Sequence, residues 1–593
     1  MGRRTALVRI VSALVLIATL GALGLWIWYG RTITVPVAYS TPALWERFLS
    51  EPGALEVPAT TRAAILPHHL ITATELTKFY RGMAQQFQPK TVILVGPNHY
   101  EEGDWNIQTC DCAYSTVRGK LESDSSIVQD LTKAKVAPFN CGPFGKEHSM
   151  YAHATFIKNF FPNATVVPII LKWKTPDEEV DRLVAYLDSM QEKQDTLIVG
   201  SVDFSHYLPQ LAADFHDQSS FAAIQGFDQN AIKSIEVDSP ATLRLVTRWA
   251  ELQGLTKVSQ LSHTNSQDYF FQTTLERTTS HQYIAFSKGK KEEPSQISFH
   301  FFGDAMFGRG VESLMGSVDI LSDLAGEEGR FFQGNDFNVL NLEGTLGDQG
   351  EAQKKEITFR FNAEKTLSLL KKYGFNAINL ANNHTLDYFS EGEKETKALL
   401  SKSSVLSFGA YAVGDKPCAT IEKNSLKIAL CGFNDVGSML PVGKALKIIS
   451  ESKKGHDLVL LNVHWGEEYS RIPTAQQKGL AHRLIDAGAD LIIGHHSHVI
   501  QPLEFYKGKP IFYSLGNFVF DQTEPEAVKT GLSVGVVATP EKLTLYVLPF
   551  DTNAGSPKPL DNEKRKAFLD SFLKGFEPFQ SDIQGKLTYS ARK

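Results

Sequence analysis

The stretch ADLIIGHHSHV, residues 489–499, joins a strand-like apolar run to three histidines within four positions. A single histidine after a strand usually packs in the core or lies at the surface. The cluster therefore indicates a site only if neighbouring strands also end in polar residues. In an open α/β sheet the loops at the carboxyl ends of the strands converge, and binding sites are built at that edge. The cluster therefore directs attention to the polar residues that follow other strands of the same region.

Four further apolar runs in the second half of the chain also end in polar side chains, and they alternate with helical periods that indicate an α/β domain. Carboxylate oxygens and imidazoles together suit Mn²⁺, Fe or Zn²⁺, and a carboxylate between two histidine-rich half-sites can bridge two metals. Such a pair polarises a phosphoryl or carbonyl oxygen and activates a shared water. The candidate residues at this predicted edge are Asp304, Glu343, Asn383, His384, His464, His496 and His498.

Six motifs of this region carry a family resemblance. Together they resemble the CapA family of capsule and poly-γ-glutamate synthesis proteins, whose fold is that of calcineurin-like metallophosphoesterases. The resemblance covers residues 297–550 and implies a metal-dependent hydrolase or transferase domain. The motifs are GDAMFGR (303–309), NLEGT (341–345), LANNHTLDY (380–388), NVHWGEEY (462–469), LAHRLIDAGADLIIGHHSHV (480–499) and YSLGNFVFDQ (513–522).

The metallophosphoesterase pattern implies a role for each candidate residue. The bridging ligand is Glu343, which stands where that pattern has an aspartate, and His384 is the acid that protonates the leaving group. The remaining ligands divide between the two metals: Asp304 and His498 on the first, and Asn383, His464 and His496 on the second.

Three further positions of this region are not assigned as ligands by the resemblance. Met306 stands where metallophosphoesterases have a histidine, and a thioether is a poor ligand for a hard cation, so the first metal loses a ligand. Arg309 could bind a carboxylate or phosphate of the substrate through its planar guanidinium, or it could form a surface salt bridge. The resemblance assigns no role to His495.

The first half of the chain resembles a second family. PHH (67–69), GPNHY (96–100), KEHSMYAH (146–153) and SVDFSHY (201–207) each lie near the end of an apolar run. Their order and spacing are similar to those of the Memo-like family, which includes the AmmeMemoRadiSam system protein B proteins and has a fold like that of class III extradiol dioxygenases. The resemblance covers residues 62–287.

The Memo-like resemblance implies a second candidate site, formed by His68, His99, Glu147, His148, Asp203 and His206. The cysteine that completes the family's metal site is missing, and Asp238 is the nearest replacement. A site of two histidines and one carboxylate would suit Fe²⁺ and an iron-dependent redox activity. The alternative is a pocket that serves only binding or packing, because a shared fold does not establish an activity.

The amino terminus predicts a membrane anchor. Residues 10–29, IVSALVLIATLGALGLWIWY, contain no charge and have the length of a transmembrane helix. Arg3, Arg4 and Arg9 precede the run, which places the amino terminus in the cytoplasm and both domains outside it, as a single-pass protein of the cell membrane. The competing interpretation is a cleaved signal peptide.

Outside the cytoplasm a disulfide is permitted, and three of the five cysteines fall within one short stretch. Cys141 is a better partner than a close neighbour for either Cys110 or Cys112; three unpaired thiols are the alternative. A net charge of −6 without a basic block excludes nucleic acid as the expected partner.

The predicted organisation is therefore a transmembrane anchor (1–30), a juxtamembrane linker (31–61), a Memo-like α/β domain (62–287), a linker (288–296), a CapA-like metallophosphoesterase-fold α/β domain (297–552) and a polar tail with one helix (553–593). The expected partners are the membrane, an envelope or exported anionic polymer, and a membrane polymer synthase. The rival to an enzyme is a tethered, non-catalytic factor that binds the polymer or assembles the synthase.

Overall fold

The computed structural model describes residues 33–35, 41–190, 194–270, 276–412, 417–576, 579 and 584–590. The predicted membrane helix at residues 10–29 lies outside this set. Within it, none of the helices combines the length and the apolar character that crossing a bilayer requires. The chain divides into two compact units: residues up to 202 with 241–255 and 283–288 form the first, and residues 203–240, 256–282 and 289 onward form the second.

Among its described residues, the first unit contains eight complete strands, five complete helices and all but the first residue of a sixth helix. The strands are β1 Ile33–Val35, β2 Ala63–Leu66, β3 Thr91–Pro97, β4 Ile107–Thr109, β5 Cys112–Thr116, β6 Gly119–Leu121, β7 Thr165–Leu171 and β8 Thr196–Ser201. The helices are α1 Pro42–Ser50, α2 Ala73–Gln86, α3 Ser125–Lys133, α4 His148–Phe160, α5 Asp177–Ser189 and α8 Pro240–Leu252. The intervening helices α6 Gln210–Gln225 and α7 Gln229–Ile232 belong to the second unit.

The core of the first unit is a mainly parallel sheet in the order β2-β8-β3-β7-β4, with β4 antiparallel at the edge. Every residue of β3 is buried, as expected when helices cover both faces of a parallel sheet. The helix α2 buries Leu76, Phe79, Tyr80 and Met83, whose spacing places them on one face of a helix. The parallel strands bring the loops that carry His68 and His99 to the same edge.

The second unit holds the remaining elements. Its strands are β9 His206–Leu208, β10 Lys257–Asn265, the first half of β11 Thr278–Ser287, whose second half belongs to the first unit, β12 Ile297–Ala305, β13 Phe337–Leu342, β14 Thr345–Leu346, β15 Arg360–Phe361, β16 Phe375–Asn379, β17 Leu406–Phe408, β18 Cys418–Lys423, β19 Leu426–Asn434, β20 Leu458–His464, β21 Leu491–His495, β22 Ile500–Tyr506, β23 Lys509–Leu515, β24 Asn517–Val519, β25 Thr530–Ala538, β26 Lys542–Asp551, β27 Lys558–Pro559 and β28 Lys586–Ser590. Its further helices are α9 Arg309–Met315, α10 Ser322–Ala325, α11 Ala363–Lys372, α12 Phe389–Lys402, α13 Val442–Gly455, α14 Ala475–Asp486 and α15 Asn562–Phe572.

Two sheets share the core of the second unit. One runs β17-β16-β13-β12-β25-β26-β27, and the other runs β18-β19-β20-β21-β23-β22. Apolar residues of both sheets, such as Phe299 and Phe301 on β12 and Leu460 on β20, belong to one buried cluster. The outer face of the second sheet is covered by α13 and α14. The mixed α/β architecture predicted from the sequence is confirmed, but the site-bearing strands come from two sheets rather than one.

Helix α6 covers the outer face of the other sheet, although its sequence lies within the Memo-like stretch. Phe215 contacts the Tyr546 ring, with centroids 5.1 Å apart. Gly535 on β25 leaves the room for this contact, since a Cβ there would lie 2.9 Å from the Phe215 ring. Residues 203–240 therefore fold together with the strands of residues 297–552.

The carboxyl-terminal segment contains the predicted helix, α15, and also a strand that was not predicted. β28 pairs antiparallel with β26, with Leu587 opposite Leu545. The segment thus extends a sheet of the second unit, because its alternating apolar residues Leu587 and Tyr589 are buried there.

The structure contains two disulfides. Cys110 bonds to Cys141, which confirms the predicted partner, while Cys112 is a buried free thiol. The second disulfide, Cys418–Cys431, joins opposite residues of β18 and β19 and was not predicted.

Candidate metal centre

The carboxyl ends of five strands supply the site of the second unit. Asp304 is the penultimate residue of β12, Glu343 follows β13, and Asn383 and His384 follow β16. From the other sheet, His464 ends β20, while His496 and His498 follow β21. The predicted residues of the two sheets come together at one edge. His464 Nε2 lies 3.8 Å from Glu343 Oε1, and the His496 backbone N–H donates to Asp304 Oδ2.

Glu343 lies at the centre of this site. Its carboxylate is buried, and among the described residues neither oxygen accepts a hydrogen bond. Three imidazole Nε2 atoms surround its Oε1, those of His384 at 3.9 Å, His464 at 3.8 Å and His498 at 4.0 Å. These distances are too long for hydrogen bonds, and with metal–ligand bonds of about 2 Å they leave room for an ion between the carboxylate and the imidazoles. Burial and the nearby Asp304 raise the pKa of Glu343 well above its usual value.

Hydrogen bonds orient both carboxylate oxygens of Asp304. Its Oδ1 accepts a hydrogen bond from Asn341 Nδ2 (2.8 Å), and its Oδ2 accepts one from the His496 backbone N–H (3.0 Å). Burial alone would raise the pKa of Asp304, but His495 and His498 hold it well below its usual range. The carboxylate is therefore ionised and oriented without a metal, as a preorganised ligand requires.

His495 belongs to this arrangement, although the sequence assigned it no role. Its Nδ1 lies 3.2 Å from Asp304 Oδ1, and its Nε2 lies 3.1 Å from Asn462 Oδ1. Nε2 is thereby engaged and Nδ1 lies within ion-pair distance of Asp304, so His495 contacts the predicted ligand Asp304 from within the core. Its position inside β21, where alternate side chains face opposite sides, explains why it does not project with His496.

An asparagine network that the sequence analysis missed lies beneath the ligands. Asn341 Oδ1 accepts hydrogen bonds from Asn379 Nδ2 (3.0 Å) and Asn382 Nδ2 (3.2 Å). Asn382 Oδ1 in turn accepts the His384 backbone N–H (3.0 Å). The only sequence signal was the recurrence of asparagine beside the ligands in NLEGT and LANNH.

The second-metal candidates are also oriented. His464 Nε2 and Asn383 Oδ1 are 2.7 Å apart, so they converge on one point. Burial, reinforced by His496, lowers the pKa of His464 well below its usual value, and burial with His498 lowers that of His496 to about 4. Both imidazoles are therefore neutral at physiological pH, which is the form that binds metals.

His498 differs from His464 and His496 because its ring is protonated at physiological pH. Burial alone would lower its pKa, but Glu343 and Asp304 raise it to about 9. Its Nδ1 contacts Asn517 Oδ1 at 2.9 Å. Without a metal, a proton on His498 supplies the positive charge that the two carboxylates require.

His384 occupies a different position at the rim. Its Nδ1 lies 2.8 Å from Asp387 Oδ2, and Lys355 forms an ion pair with the other Asp387 oxygen. The ring packs on Phe359, with centroids 4.2 Å apart. With Nδ1 held by Asp387, Nε2 is the nitrogen that faces the site.

Met306 and Arg309 lie near the ligands but make other contacts. Met306 is buried among apolar side chains, and its Sδ accepts the Gly308 backbone N–H at 3.1 Å, so it is not directed to the metal ligands. Arg309 forms a bidentate ion pair with Asp521, so the surface salt bridge weighed for it is what is present. Its guanidinium also lies 5.2 Å from the centre of the Phe359 ring, near His384.

Two groups of potential ligand atoms share Glu343. Asp304, Glu343 and His464 form one group, and Glu343, His496 and His498 form the other, each with ligand atoms within 4.8 Å of one another. This grouping differs from the predicted division, which placed Asp304 with His498 and His464 with His496. This donor set, with a buried carboxylate that lacks hydrogen-bond partners, fits a cation bound between the strand ends. A cation placed there would give the Glu343 oxygens the partners that no described residue supplies as a hydrogen bond.

The first unit contains a second cluster, built from three imidazoles. His68, His99 and His148 place ligand atoms within 4.8 Å of one another. His68 Nδ1 contacts Ser201 Oγ at 3.1 Å, and His99 Nδ1 contacts Glu147 Oε1 at 2.7 Å. The Nδ1 atoms are thus held by the protein, which orients the Nε2 atoms as metal ligands.

Glu147 holds this cluster through several hydrogen bonds. Its oxygens accept hydrogen bonds from the His99 backbone N–H (2.9 Å) and the Ser149 backbone N–H (3.0 Å), besides the His99 ring. Asp203 and His206, predicted for the same pocket, belong to the other compact unit. There the Asp203 N–H donates to Asp238 Oδ2 and the His206 N–H donates to Glu236 Oε1.

Comparison with known proteins identifies both regions. A family model described as "Bacterial capsule synthesis protein PGA_cap" matches residues 298–522, and one described as "Memo-like protein" matches residues 43–255. The chain is 34% identical over 328 residues to the "PGA biosynthesis protein CapA" of Bacillus subtilis (strain 168), a match that covers 51% of this chain and 86% of that protein. It is 34% identical over 298 residues to the "Capsule biosynthesis protein CapA" of Bacillus anthracis, covering 46% and 71%. A "MEMO1 family protein" of Caldivirga maquilingensis is 25% identical over 218 residues, covering 35% and 77%.

Proposed function

Because the chain belongs to the CapA family of capsule synthesis proteins and has a Memo-like region ahead of that part, we propose that it is a metal-dependent hydrolase or transferase. Its substrate is a capsule, poly-γ-glutamate or other envelope polymer. The observation that carries the proposal is the buried Glu343 carboxylate, which has no hydrogen-bond partner among the described residues and faces three imidazole nitrogens. The calcineurin-like fold inferred from the sequence motifs agrees with this assignment.

The ligands proposed for Mn²⁺, Fe or Zn²⁺ are Asp304, Glu343, Asn383, His464, His496 and His498. Their mixture of oxygen and imidazole nitrogen suits these metals, and Glu343 is the shared member of both ligand groups. When bound, such ions lower the pKa of a coordinated water and polarise the substrate oxygen. The replacement of a ligand histidine by Met306 leaves Asp304, held by Asn341 and His495, as the main anchor of the first metal.

His384 is the proposed acid. Asp387 accepts the Nδ1 proton and is itself paired with Lys355, so the proton available for transfer is the one that the protonated ring carries on Nε2. As water attacks the phosphoryl or acyl centre and the bond to the leaving group breaks, Nε2 gives its proton to the departing oxygen or nitrogen. The buried position of the ring excludes bulk water from that transfer.

The proposed location is the outer side of the cell membrane. The apolar segment at residues 10–29 is the anchor, with the arginines before it on the cytoplasmic side. Two disulfides support an oxidising compartment. A protein tethered in this way meets the exported polymer, and the membrane synthase that makes it, at the cell surface.

Turnover tests the proposal against its rival, a tethered factor that binds the polymer without cleaving it. The full chain should be used, because residues 203–240 fold with the second unit and would be missing from residues 297–552 alone. Hydrolysis of bis(p-nitrophenyl) phosphate is measured after metal removal and again after reconstitution with Mn²⁺, Fe²⁺ or Zn²⁺. Metal-dependent turnover that His384→Ala abolishes supports the enzyme. Metal binding without turnover on this substrate or on poly-γ-glutamate favours the binding factor.

The three imidazoles of the first unit favour a second, separate function. His68, His99 and His148 would hold Fe²⁺ for a redox reaction in the Memo-like region. Burial and the neighbouring His99 lower the pKa of His148 to about 4, so it is neutral at physiological pH. Iron that remains bound after Glu343→Ala but is lost after His148→Ala would support this site.

A further inference from the structure

The Cys418–Cys431 disulfide lies at one end of the pairing between β18 and β19. Its two residues are the last pair of this antiparallel ladder, and β18 is an edge strand of its sheet. On the other side of β19, Cys431 lies opposite Leu461 of β20, a strand that ends at the candidate ligand His464. The ends of strand pairs separate most readily, so a covalent bond at this pair holds the end of β18 that is nearer to the metal centre.

The residues beside the two cysteines meet at one carbonyl group. Pro417 directly precedes Cys418, and Gly432 directly follows Cys431. The Pro417 carbonyl oxygen accepts the backbone N–H of Gly432 (2.9 Å) and that of Gly409 (3.1 Å). The disulfide therefore joins the same two chain segments as this hydrogen bond, and Gly409 is attached to them.

Gly409 and Gly432 enclose the side chain of Asn379. A Cβ added to Gly409 would lie 2.5 Å from Asn379 Oδ1, and one added to Gly432 would lie 2.2 Å from the same atom. Both distances are shorter than a van der Waals contact, so only glycine allows Asn379 to come this close. The two glycine backbones thus form a wall that fixes where the Asn379 amide lies.

Asn379 in turn connects to candidate metal ligands. Its Nδ2 donates to Asn341 Oδ1 (3.0 Å), and Asn341 Nδ2 donates to Asp304 Oδ1 (2.8 Å). Its Oδ1 accepts the Ala381 backbone N–H (3.1 Å), at the start of the segment that leads to Asn383. The amide and carboxylate groups from Asn379 to Asp304 are fully buried, so a displacement of Asn379 reaches Asp304 through packed and hydrogen-bonded neighbours.

We propose that the Cys418–Cys431 disulfide positions the metal centre of the second unit. By fixing Pro417 and Gly432, it fixes the glycine wall against Asn379 and thereby the orientation of the ligand carboxylate. The disulfide acts through these neighbours, so its effect is on metal affinity rather than on the identity of the ligands. This inference rests on the proposed metal centre, and it makes tight metal binding depend on the oxidised form of the two cysteines.

The metal affinity of the full-length chain tests this role. His68→Ala serves as the parent, because it removes a ligand of the histidine cluster in the first unit and leaves the second unit to bind the probe, Mn²⁺. C418A/C431A should weaken Mn²⁺ binding by about 10–100-fold, the usual cost of losing a group that orients a ligand. C110A/C141A, which removes the disulfide of the first unit, should bind as the parent does. Isothermal titration of metal-free protein measures the affinities.

A second route breaks the bond without changing its residues. In the C110A/C141A chain, dithiothreitol converts Cys418–Cys431 to two thiols; it supplies two electrons and two protons and itself becomes a cyclic disulfide. After the reagent is removed without air, this chain should show the same loss of Mn²⁺ affinity, and reoxidation should restore it. Thiol titration confirms the reduction, and near-ultraviolet circular dichroism confirms that each form is folded.

Asn379→Ala distinguishes positioning from general stabilisation. It should itself weaken Mn²⁺ binding, and N379A/C418A/C431A should bind no more weakly than the weaker of the two variants, because the disulfide acts through Asn379. The proposal is overturned if breaking the bond by either route leaves the affinity of a folded chain unchanged, or if the two losses add. Absence of Mn²⁺ binding by the parent would instead overturn the metal centre, and with it both the proposed function and this inference.

Discussion

The two histidine clusters differ in how the protein uses its buried glutamate. In the first unit both oxygens of Glu147 accept hydrogen bonds, and the residue orients His99. In the second unit Glu343 accepts none from any described residue. The protein thus satisfies one buried glutamate with hydrogen-bond donors and leaves the other without them, as we propose for a carboxylate that binds a metal. A buried carboxylate reveals its role through its hydrogen bonds rather than its position in a motif.

Replacing each glutamate by methionine gives the largest expected contrast. Glu343→Met should remove nearly all metal from the second unit and abolish hydrolysis, since a bridging ligand serves both ions. In metal-free protein the same change should stabilise the fold by about 1–3 kcal/mol, because it removes a buried carboxylate without partners. Elemental analysis and thermal unfolding with and without chelator measure the two effects.

Glu147→Met is the matched control. It should destabilise the fold with or without metal, because the His99 and Ser149 N–H groups lose their acceptor. If Glu343→Met also destabilised the metal-free protein, the assignment of Glu343 as an uncompensated ligand would be wrong.

Catalysis and metal binding should separate at His384. His384→Ala should lower kcat by about 10²–10⁴-fold, the usual contribution of a general acid, while the metal content stays at the wild-type value. Asp387→Asn should give a smaller loss, because it alters the orientation of the ring and leaves the imidazole in place. A parallel fall of metal content and kcat in His384→Ala would instead assign this residue to the ligands.

In the first unit, Glu147→Gln should weaken metal binding by about 10–100-fold, the cost of losing a group that orients a ligand. His68→Ala, which removes a ligand, should have a larger effect. Titration with Fe²⁺ under anaerobic conditions, using the Glu343→Met background, measures both affinities. Equal affinity in Glu147→Gln and its parent would show that Glu147 does not position His99 for a metal.

The smallest expected effect concerns the ion pair between His263 and Asp217, a residue of helix α6. Burial alone would lower the pKa of His263, but Asp217 at 2.6 Å and Asp214 raise it above its usual value, while Lys586 opposes them. The ion pair therefore stabilises the second unit between the pKa of the Asp217 carboxyl, which burial raises above its usual value, and the unfolded-state pKa of histidine. This stability is lost as pH rises through the folded-state pKa of His263. His263→Gln should remove about 1–2 kcal/mol in this mildly acidic range and less at alkaline pH, as measured by urea unfolding. An effect independent of pH would exclude the ion pair as its source.

Much of the site in the second unit could be predicted because its ligands follow strands that have clear apolar periodicity. Asp304, Glu343 and His464 each stand at such an end. His495 was not predicted, since its role depends on the direction of one side chain at the end of β21. The asparagines that connect the ligands were missed for the same reason.

Long-range organisation was harder to predict. The contact of α6 with β25 and β26 depends on packing around Gly535 and Tyr546, far away in sequence. Likewise β28 is a short alternating segment whose pairing with β26 has no local signal. Arg309 could be assigned to substrate or salt bridge only when Asp521, more than two hundred residues later, was seen beside it.

The most direct test of the central claim is elemental analysis of the full-length chain, purified without chelator, as wild type, Glu343→Met and His68→Ala. Glu343→Met should lose about two ions per chain relative to wild type, and His68→Ala should keep them. Equal metal content in wild type and Glu343→Met, with both proteins folded, would contradict the metal centre on which the proposed function rests.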